Sequence, residues 1–406
     1  MTKFKLFIST FFYILLSPLL SIAHDTNILF KGSLDFQSGY FSSNAPKRSE
    51  YNTSSTDNLN FITSNQKNLA FYTYSSLGLE TQNTLESGFT YGAKIGIATT
   101  AKSLRSFQSG IFMESQSGRL ELGSEKSAMS KMRITPYSII SGPSESWNKW
   151  IRPDPEGSKG SQIPYVTSFA NFLDAKLRSS SAVEYSRKIT YYSPIIHGAQ
   201  VGITYIPDSS NSGYGEIKDT FSIYTSASGG YNLSVKNGVS GGIKYTNNIH
   251  NNIDLETSAV GEIGETVARP ASENALNNTE FGHLRTYNIG AKIKFDDLSF
   301  ASSYGNYVRS LTNTHDLEKD TKIYGASVRY QIGSASLSAA YVLGDHTKNK
   351  IKVLTLATDY RFARGLLFYG EFSSFIASGS IAYSDEGTRN SNHKGSLFLL
   401  GARVEI

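Results

Sequence analysis

Residues Gly118-Arg-Leu-Glu-Leu-Gly123 indicate the fold class, because their side chains alternate strictly between charged and apolar. Successive side chains of a β-strand point to opposite faces, so the two leucines face one side while Arg119 and Glu121 face the other. Such a strand separates an apolar environment from an aqueous one. We therefore interpret the segment as an amphipathic β-strand.

The same period of two continues from residue 28 almost to the last residue and predicts about sixteen strands, most of about ten to fourteen residues. Tight turns such as Gln116-Ser117 alternate with generally longer polar loops. Tilted membrane strands have this length, and an up-and-down barrel has this alternation of turns and loops. The sequence therefore predicts an all-β fold, a transmembrane antiparallel up-and-down β-barrel.

The connections between strands are predicted from turn residues and polar segments. Asn237-Gly238 is a strong hairpin signal and predicts a turn between strands at 220–235 and 239–248. Long loops are predicted at 41–67, 127–181, 249–284 and 377–394, and the loop at 127–181 is the longest.

The amino-acid composition agrees with a wall of strands between lipid and water. Aromatic residues make up 12% of the chain, whereas hydrophobic residues overall reach only 39%. A barrel needs an aromatic outer band but no large apolar core, so these values favour it over a soluble protein of this length. The chain has no cysteine, and a closed barrel is one way to stabilise an exported protein without disulfides.

The N-terminus has the pattern of a secretory signal peptide. Lys3 and Lys5 precede a nearly continuous apolar stretch at 6–20, and Ser21-Ile22-Ala23 places small residues before a predicted cleavage site. An uncleaved anchor is the alternative. The expected domains are a signal peptide at 1–23 and a mature barrel at 24–406. No later stretch is apolar enough to span a membrane as a helix, so further crossing must use strands.

Charge and motif patterns give little support to other classes of function. The net charge of +5 is spread along the chain, which does not indicate nucleic-acid binding. The histidines lie mostly in predicted turns or loops, and no Ser–His pair or spaced set of metal ligands stands out. We therefore expect no enzymatic activity, no cofactor and no metal.

Two segments resemble the general porins of Gram-negative outer membranes. Lys188-Ile-Thr-Tyr-Tyr-Ser-Pro-Ile-Ile-His-Gly-Ala-Gln-Val-Gly-Ile-Thr-Tyr205 is similar to that family's Tyr-x-Ser-Pro strand ending, short turn and following strand. Leu356-Ala-Thr-Asp-Tyr-Arg-Phe-Ala-Arg-Gly-Leu-Leu-Phe-Tyr-Gly-Glu-Phe372 is similar to the penultimate hairpin. The resemblance implies a sixteen-stranded homotrimeric channel for passive diffusion of small hydrophilic solutes. It also implies that the third long loop, about 127–181, folds into the pore.

The same resemblance implies a location and partners. The location is the outer membrane of a Gram-negative bacterium, and the partners are outer-membrane lipid, lipopolysaccharide and the barrel-insertion machinery. The chain ends in Ile406 where such barrels commonly end in Phe, but the apolar alternation through Phe398 and Leu400 is intact. Recognition by the insertion machinery is therefore expected.

The candidate functional residues are charges that the resemblance and the period of two place inside the barrel. Carboxylates of the inward loop are expected to face basic wall residues. The loop acids are Glu145, Asp154 and Glu156; the wall bases are Lys94, Arg119, Lys188, Lys244, Lys292 and Arg329; the wall acid is Glu371. Lys94, Lys188 and Lys244 fall near mid-height. The excess of inward bases predicts a weak anion preference, and solvated surface charge is the alternative interpretation of each residue.

Two other functions stay open on the sequence alone. A solute-specific channel for phosphate or a sugar would show saturable block of its conductance by that solute. A surface adhesin would use the loops at 41–67, 249–284 and 377–394, and would bind cells without conducting ions.

Overall fold

The computed structural model shows a single β-sheet and, among the described residues, a short α-helix and a 3₁₀ helix at Pro136–Ser138. The described residues are 25–43, 69–100, 103–143, 150, 186–209, 221–225, 229–250, 252–270, 281–310, 320–346, 349–383 and 387–406. The strands are β1 (Asp25–Ser43), β2 (Leu69–Thr84), β3 (Thr90–Thr100), β4 (Ser103–Ser115), β5 (Gly118–Ser124), β6 (Arg187–Tyr192), β7 (Ala199–Asp208), β8 (Phe221–Thr225), β9 (Gly229–His250), β10 (Ile253–Pro270), β11 (Leu284–Phe295), β12 (Leu298–Asn306), β13 (Thr321–Ile332), β14 (Ala335–His346), β15 (Asn349–Ala363), β16 (Leu366–Tyr383) and β17 (Gly387–Glu405). The helix is α1 (Ala128–Met132).

The sheet closes on itself as an antiparallel barrel. Each strand pairs with the next in sequence except β7, and β17 returns to pair with β1 from Ser33↔Glu405 to Ser43↔Gly395. Strands β7 and β8 both pair with the same strand, β9, at successive positions along it. The two segments therefore occupy one strand position of the barrel, so the seventeen segments form a barrel of sixteen strands. The predicted fold class and strand number are confirmed.

The two ends of the barrel differ in their connections. The links at 85–89, 116–117, 193–198, 251–252, 296–297, 333–334 and 364–365 all lie at the end where β1 begins and β17 ends. We call this the turn end. Gly333 and Gly365 have φ of 54° and 78° there, a left-handed conformation that glycine adopts without a steric cost in two-residue turns. The opposite end, the loop end, carries the links 125–186, 271–283 and 307–320, among others.

The predicted hairpin at Asn237-Gly238 is wrong. β9 runs without a break from Gly229 to His250, and the pairing register with β10 shifts opposite this point, between Ile263 and Glu265. Asn237 has φ of 49°. A left-handed Asn suits a β-bulge as well as a tight turn, so the same local signal fits both structures.

Two of the long loops predicted from the sequence are also largely strand. The true turn after β9 lies at 251–252, so β10 occupies much of the segment predicted as a loop at 249–284. In the segment predicted as a loop at 377–394, β16 continues to Tyr383 and β17 begins at Gly387. Polar side chains there had indicated a loop, but backbone pairing along this hairpin satisfies the main-chain groups without an apolar face.

The outer face of the barrel is apolar. Phe30, Leu77, Ile289 and Leu337 are among the large hydrophobic residues more than half exposed, and their neighbours in sequence point inward. No helix among the described residues is long and apolar enough to cross a membrane. The outer face therefore carries side chains that suit contact with lipid, and the polar side chains that alternate with them face the lumen.

Candidate functional site

Ion pairs cross the inner wall of β1 to β3 near the turn end. Glu80 on β2 lies between two lysines: its carboxylate is 3.1 Å from Nζ of Lys31 and 3.5 Å from Nζ of Lys94. The three side chains project inward from adjacent strands. Glu80 stands directly opposite Lys94 in the register of β2 with β3. All three are partly exposed, so this part of the wall is open to water.

A second run of charges continues the pattern on β4 and β5. Arg119 lies 2.8 Å from Glu114 on β4 and 2.9 Å from Glu121 on its own strand. Its guanidinium also stacks 4.2 Å from the ring centre of the buried Phe112. Glu121 is only 5% exposed. A buried carboxylate of this kind is stable only with cations held close to it.

The loop that follows β5 turns into the barrel through α1. The side chain of Ser127 caps the helix by accepting a hydrogen bond from the backbone of Ser130. Lys131, on the same helix, contacts Glu121 through a short ion pair and Glu125 at 3.2 Å. The ion pair between Lys131 and Glu121 of β5 therefore holds the root of the loop, where it leaves β5, against the inner wall.

The apolar side of α1 packs on the inner wall. Ala128, Met129 and Met132 are buried in one cluster with Tyr192 of β6 and Val260 of β10. The backbone amide of Ala128 donates to the hydroxyl of Thr204 at 2.8 Å. The helix consequently lies flat on β6, β7, β9 and β10 inside the barrel.

Beyond α1 the loop follows the wall by hydrogen bonds to serines. The amide of Ile134 donates to Ser258 of β10 at 3.1 Å, and the amide of Ser141 donates to Ser338 of β14 at 3.0 Å. Between them, the hydroxyl of Ser327 on β13 donates to the carbonyl of Pro136 at 2.7 Å. These bonds show the loop crossing the inside of the barrel from β5 to β14.

Trp150 marks the far side of this path. Its indole Nε1 donates to Oε1 of Gln37 on β1 at 3.0 Å, and its ring lies against Gly39, where a Cβ would clash. Nearby, Asp35 accepts hydrogen bonds from Arg403 at 2.8 Å and from the hydroxyl of Tyr369. The loop therefore reaches the seam where the first and last strands meet.

Three further ion pairs, two of which share Glu256, line the turn end on the opposite wall. Glu256 of β10 lies 2.7 Å from Lys244 of β9 and in a short ion pair with Lys292 of β11. Arg329 of β13 lies 3.4 Å from Asp359 of β15. Glu256, its two lysines and Arg329 are partly exposed, whereas Asp359 is buried. The turn-end half of the lumen therefore has a charged wall that is partly open to water.

The inner wall is apolar toward the loop end. Ile206, Leu284 and Ile323 are fully buried in one cluster that includes Tyr137 and Ile140 of the inward loop. A second cluster surrounds Trp150; its wall members are Phe41, Ile351, Val353, Tyr369, Phe375, Ala377, Leu397 and Leu399. Burial of inward apolar residues means that the lumen is filled at these positions, whereas Glu80, Glu256 and their lysine partners in the charged half stay partly exposed.

Comparison with known proteins identifies the family of this chain. A sequence model described as Gram-negative porin matches residues 16–380. The chain belongs to this porin family. Uncharacterized proteins of Rickettsia prowazekii and Rickettsia bellii are 27% and 28% identical to the porin, in each case over 96% of its chain and 95% of theirs.

Solved structures agree on the fold. A mutant of the porin of Rh. blastica aligns with TM-score 0.50 and 14% identity, covering 94% of this porin and 100% of that chain. A loop-deletion mutant of OmpT, an outer membrane protein of Vibrio cholerae, aligns with TM-score 0.53 and 12% identity over the same shares. Family and fold thus make the protein an outer-membrane porin channel.

The predicted site residues differ in their exposure and in their partners. Lys94, Arg119, Lys244, Lys292 and Arg329 project inward and have acidic partners. Lys188 also projects inward, but it is only 3% exposed and its ammonium donates to the backbone carbonyl of Glu125. Glu371 is 1% exposed and accepts a hydrogen bond from Ser373 at 2.9 Å. The loop acids Glu145, Asp154 and Glu156 lie outside the described residues.

Sequence reasoning missed the acids that accompany the wall bases in the porin. Glu80, Glu256 and Asp359 were available from the same period of two, since each shares an inner face with a predicted base. Glu121 shares its face with Arg119 in the sequence pattern but was not among the predicted wall acids. Lys131 had no such signal, because its position depends on where the loop docks. Among the described residues, no group of three or more potential metal ligands occurs.

Proposed function

We propose that this porin carries small hydrophilic solutes and ions across the outer membrane by passive diffusion. The observation that supports this most is the partly exposed wall of paired charges at the turn-end half of the lumen. Paired charges hydrate a channel without holding one ion tightly, which suits fast passage. The loop docked on β5 to β14 restricts the width and so sets the size of the solutes.

The finer proposal concerns ion selectivity. The sequence predicted a weak anion preference from six wall bases and one wall acid. Five of those bases have an acidic partner within 3.5 Å, and such pairs have little field beyond a Debye length. We therefore expect the chloride-to-potassium permeability ratio to lie within about threefold of unity, which is less than 1 kcal/mol.

Planar-bilayer recording of the purified mature protein tests the proposal. We expect stepwise single-channel conductance that rises linearly with salt, and swelling of protein-containing liposomes in small sugars but not in large oligosaccharides. Protein that inserts as a barrel but gives neither steps nor swelling would refute a diffusion channel.

A solute-specific channel is the second candidate. Saturable block of conductance by phosphate or a sugar would support it, and unchanged conductance at high concentrations of both would support the general pore. Adhesion has less support than the sequence alone indicated, because two of the three loops predicted for it are largely paired strand.

Export and assembly complete the proposal. The signal peptide at 1–23 lies outside the described residues, and N-terminal sequencing of the outer-membrane protein is expected to begin at His24. The homotrimer, the insertion machinery and lipopolysaccharide as a partner remain proposals from the resemblance. Migration of unheated protein on gels at three times the monomer mass would support the trimer.

A further inference from the structure

One edge of β1 lies beyond the end of its neighbour β17 at the turn end of the barrel. β1 pairs with β2 from its first residue onward, whereas its pairing with β17 begins only at Ser33↔Glu405. Gly32 adds backbone hydrogen bonds with Ile406. Among the described residues, no strand pairs with Asp25–Lys31 on the β17 side. We call this stretch of β1 the open edge.

The open edge presents main-chain groups to a further strand. Gly32 donates to the carbonyl of Ile406 at 3.2 Å and accepts from its amide at 2.9 Å, so the main-chain groups of Gly32 point away from β2. Main-chain groups of a strand alternate in direction, and β1 shows no register shift against β2. Those of Thr26, Ile28 and Phe30 therefore point the same way as those of Gly32. Each of these three residues offers one donor and one acceptor.

Three consecutive apolar side chains are exposed along the open edge. Ile28 is 58% exposed, Leu29 49% and Phe30 70%. Ile28 and Phe30 project outward, where lipid can cover them. Leu29 stands opposite Glu80 and projects inward with it, so contact with lipid does not explain its exposure. Contiguous exposed apolar residues beside free main-chain groups are typical of a binding surface.

The open edge lacks the features that usually protect an edge strand. Natural edges are blunted by proline, by bulges or by charged side chains along them. The open edge is seven residues long and contains no proline, and its pairing with β2 has no bulge. Its two charged residues, Asp25 and Lys31, stand at its two ends. The apolar middle of the edge is therefore left accessible to another strand.

The position of the open edge limits the kind of partner. Short turns of bacterial outer-membrane barrels face the periplasm, and the open edge reaches the turn-end rim because Asp25 stands opposite Thr84, where β2 ends. The edge is still open in the barrel whose sheet β17 has closed. Its partner is therefore a periplasmic molecule that binds the folded protein.

We propose that the open edge binds an extended segment of a periplasmic protein, which adds to the sheet as a further strand. The segment runs antiparallel to β1 and continues the line of β17 past the Gly32–Ile406 pair. Its main chain bonds to Thr26, Ile28 and Phe30, and one of its apolar side chains covers Leu29. The class of partner is a segment with apolar residues at alternate positions and no proline among them.

A second copy of this porin fits the open edge less well. Copies in one membrane share one orientation, so two β1 strands brought together would run parallel. Every pairing in this sheet is antiparallel, and parallel pairing is slightly less stable per residue. The geometry therefore favours a different protein as the source of the added strand.

Binding of synthetic peptides to the purified barrel in detergent, followed by fluorescence anisotropy, tests this inference. The first probe has the sequence of residues 77–84, because that stretch of β2 already pairs with β1 from Gly32↔Leu77 to Asp25↔Thr84. The second is an octapeptide of alternating valine and threonine. A fully N-methylated form of each peptide lacks the main-chain donors and is expected to bind at least about tenfold more weakly.

Two substitutions at one position separate main-chain binding from side-chain binding. Ile28→Pro removes an N–H of the open edge, and proline is accepted in an edge strand whose N–H is outside the ladder. Ile28→Ala, the matched control, keeps that N–H. We expect Ile28→Pro to weaken both peptides at least about tenfold and Ile28→Ala less than about threefold. Leu29→Ser is expected to weaken them about three- to tenfold, because it removes the apolar contact.

The outcomes that would overturn the inference are specific. They are absence of saturable binding by both peptides, equal affinity of the N-methylated forms, and equal loss in the two Ile28 variants. Self-association of the native protein that Ile28→Pro abolishes would mean that a second copy occupies the edge, and the periplasmic assignment would be wrong. If Ile28→Pro failed to give a heat-modifiable barrel on gels, the N-methylated peptides and Leu29→Ser would still decide.

Single-channel conductance separates this inference from the proposed channel. Ile28 projects away from the lumen, so both Ile28 variants are expected to conduct as the native protein does. A native protein that conducts but binds neither peptide would refute the strand addition alone. A protein that binds the peptides but does not conduct would refute the diffusion channel alone.

Discussion

The indole nitrogen of Trp150 donates a 3.0 Å hydrogen bond to the side-chain carbonyl of Gln37. The bond joins the inward loop to the first strand of the barrel, and both side chains are buried. It fixes the far side of the loop path, whereas α1 fixes the near side. Loop position and closure of the barrel are therefore coupled through this contact.

The first prediction concerns that bond. Trp150→Phe keeps an aromatic ring but removes the donor, and we expect it to cost about 1–2 kcal/mol because Gln37 stays buried. Trp150→Ala also empties the site and is expected to cost about 3–5 kcal/mol. Thermal loss of the β-sheet circular dichroism signal measures both. A double-mutant cycle with Gln37→Leu checks the assignment, and additive effects would contradict it.

The second prediction concerns the root of the loop. Glu121→Gln leaves Arg119 and Lys131 facing a neutral amide, and loss of a buried charge partner is expected to destabilise the barrel by about 3 kcal/mol. Glu114→Gln is the control. It removes the other partner of Arg119, but Glu114 is 49% exposed, so its loss is expected to cost less than about 1 kcal/mol. Similar melting shifts in the two variants would disprove this role of Glu121.

The third prediction concerns ion selectivity at the turn end. Glu256→Gln leaves the positive charges of Lys244 and Lys292 without their shared acid. We expect the chloride-to-potassium permeability ratio, measured from reversal potentials across a KCl gradient, to rise about two- to threefold. Lys292→Gln, which removes a cation instead, is expected to lower it. A change in the same direction in both variants would show that these residues do not face the conducting path.

The fourth prediction concerns the room left for the loop. A Cβ added at Gly290 of β11 would overlap the carbonyl oxygen of Ile134 and lie 3.0 Å from its Cβ. Gly290→Ala is therefore expected to displace the loop, at a cost of about 1–3 kcal/mol, and to alter the single-channel conductance. Gly370→Ala is the control, since its nearest neighbour is the Leu400 side chain at 3.4 Å. Unchanged conductance in Gly290→Ala would mean that the loop segment does not limit the pore.

Much of the fold was predictable because a strand between lipid and water must alternate. That one rule predicts the strand number, the outward row through Phe398 and Leu400 and the inward position of Lys94 and Arg119. The turn signal fails at Asn237, where a left-handed residue forms a bulge in a continuous strand instead of ending it. Local dihedral preference is the same in both cases, and only the pairing partner on β10 decides between them.

The site was less predictable than the fold. The inward face of each strand follows from its sequence, but the partner of each charge depends on which strands become neighbours after closure. Glu256 reaches lysines on both sides in this way. Ser258, Ser327 and Ser338 resemble ordinary small wall residues until the loop lies against them. Their role is a property of the tertiary structure, and no local pattern marks it.

Closure of the sheet has a consequence for biosynthesis. The backbone of Gly32 exchanges two hydrogen bonds with that of Ile406, at 3.2 Å and 2.9 Å. One partner lies in β1, and the other directly follows β17. The ring cannot be completed before β17 has been synthesised, so the polypeptide must be kept from aggregating through the unpaired edge of β1 until β17 arrives.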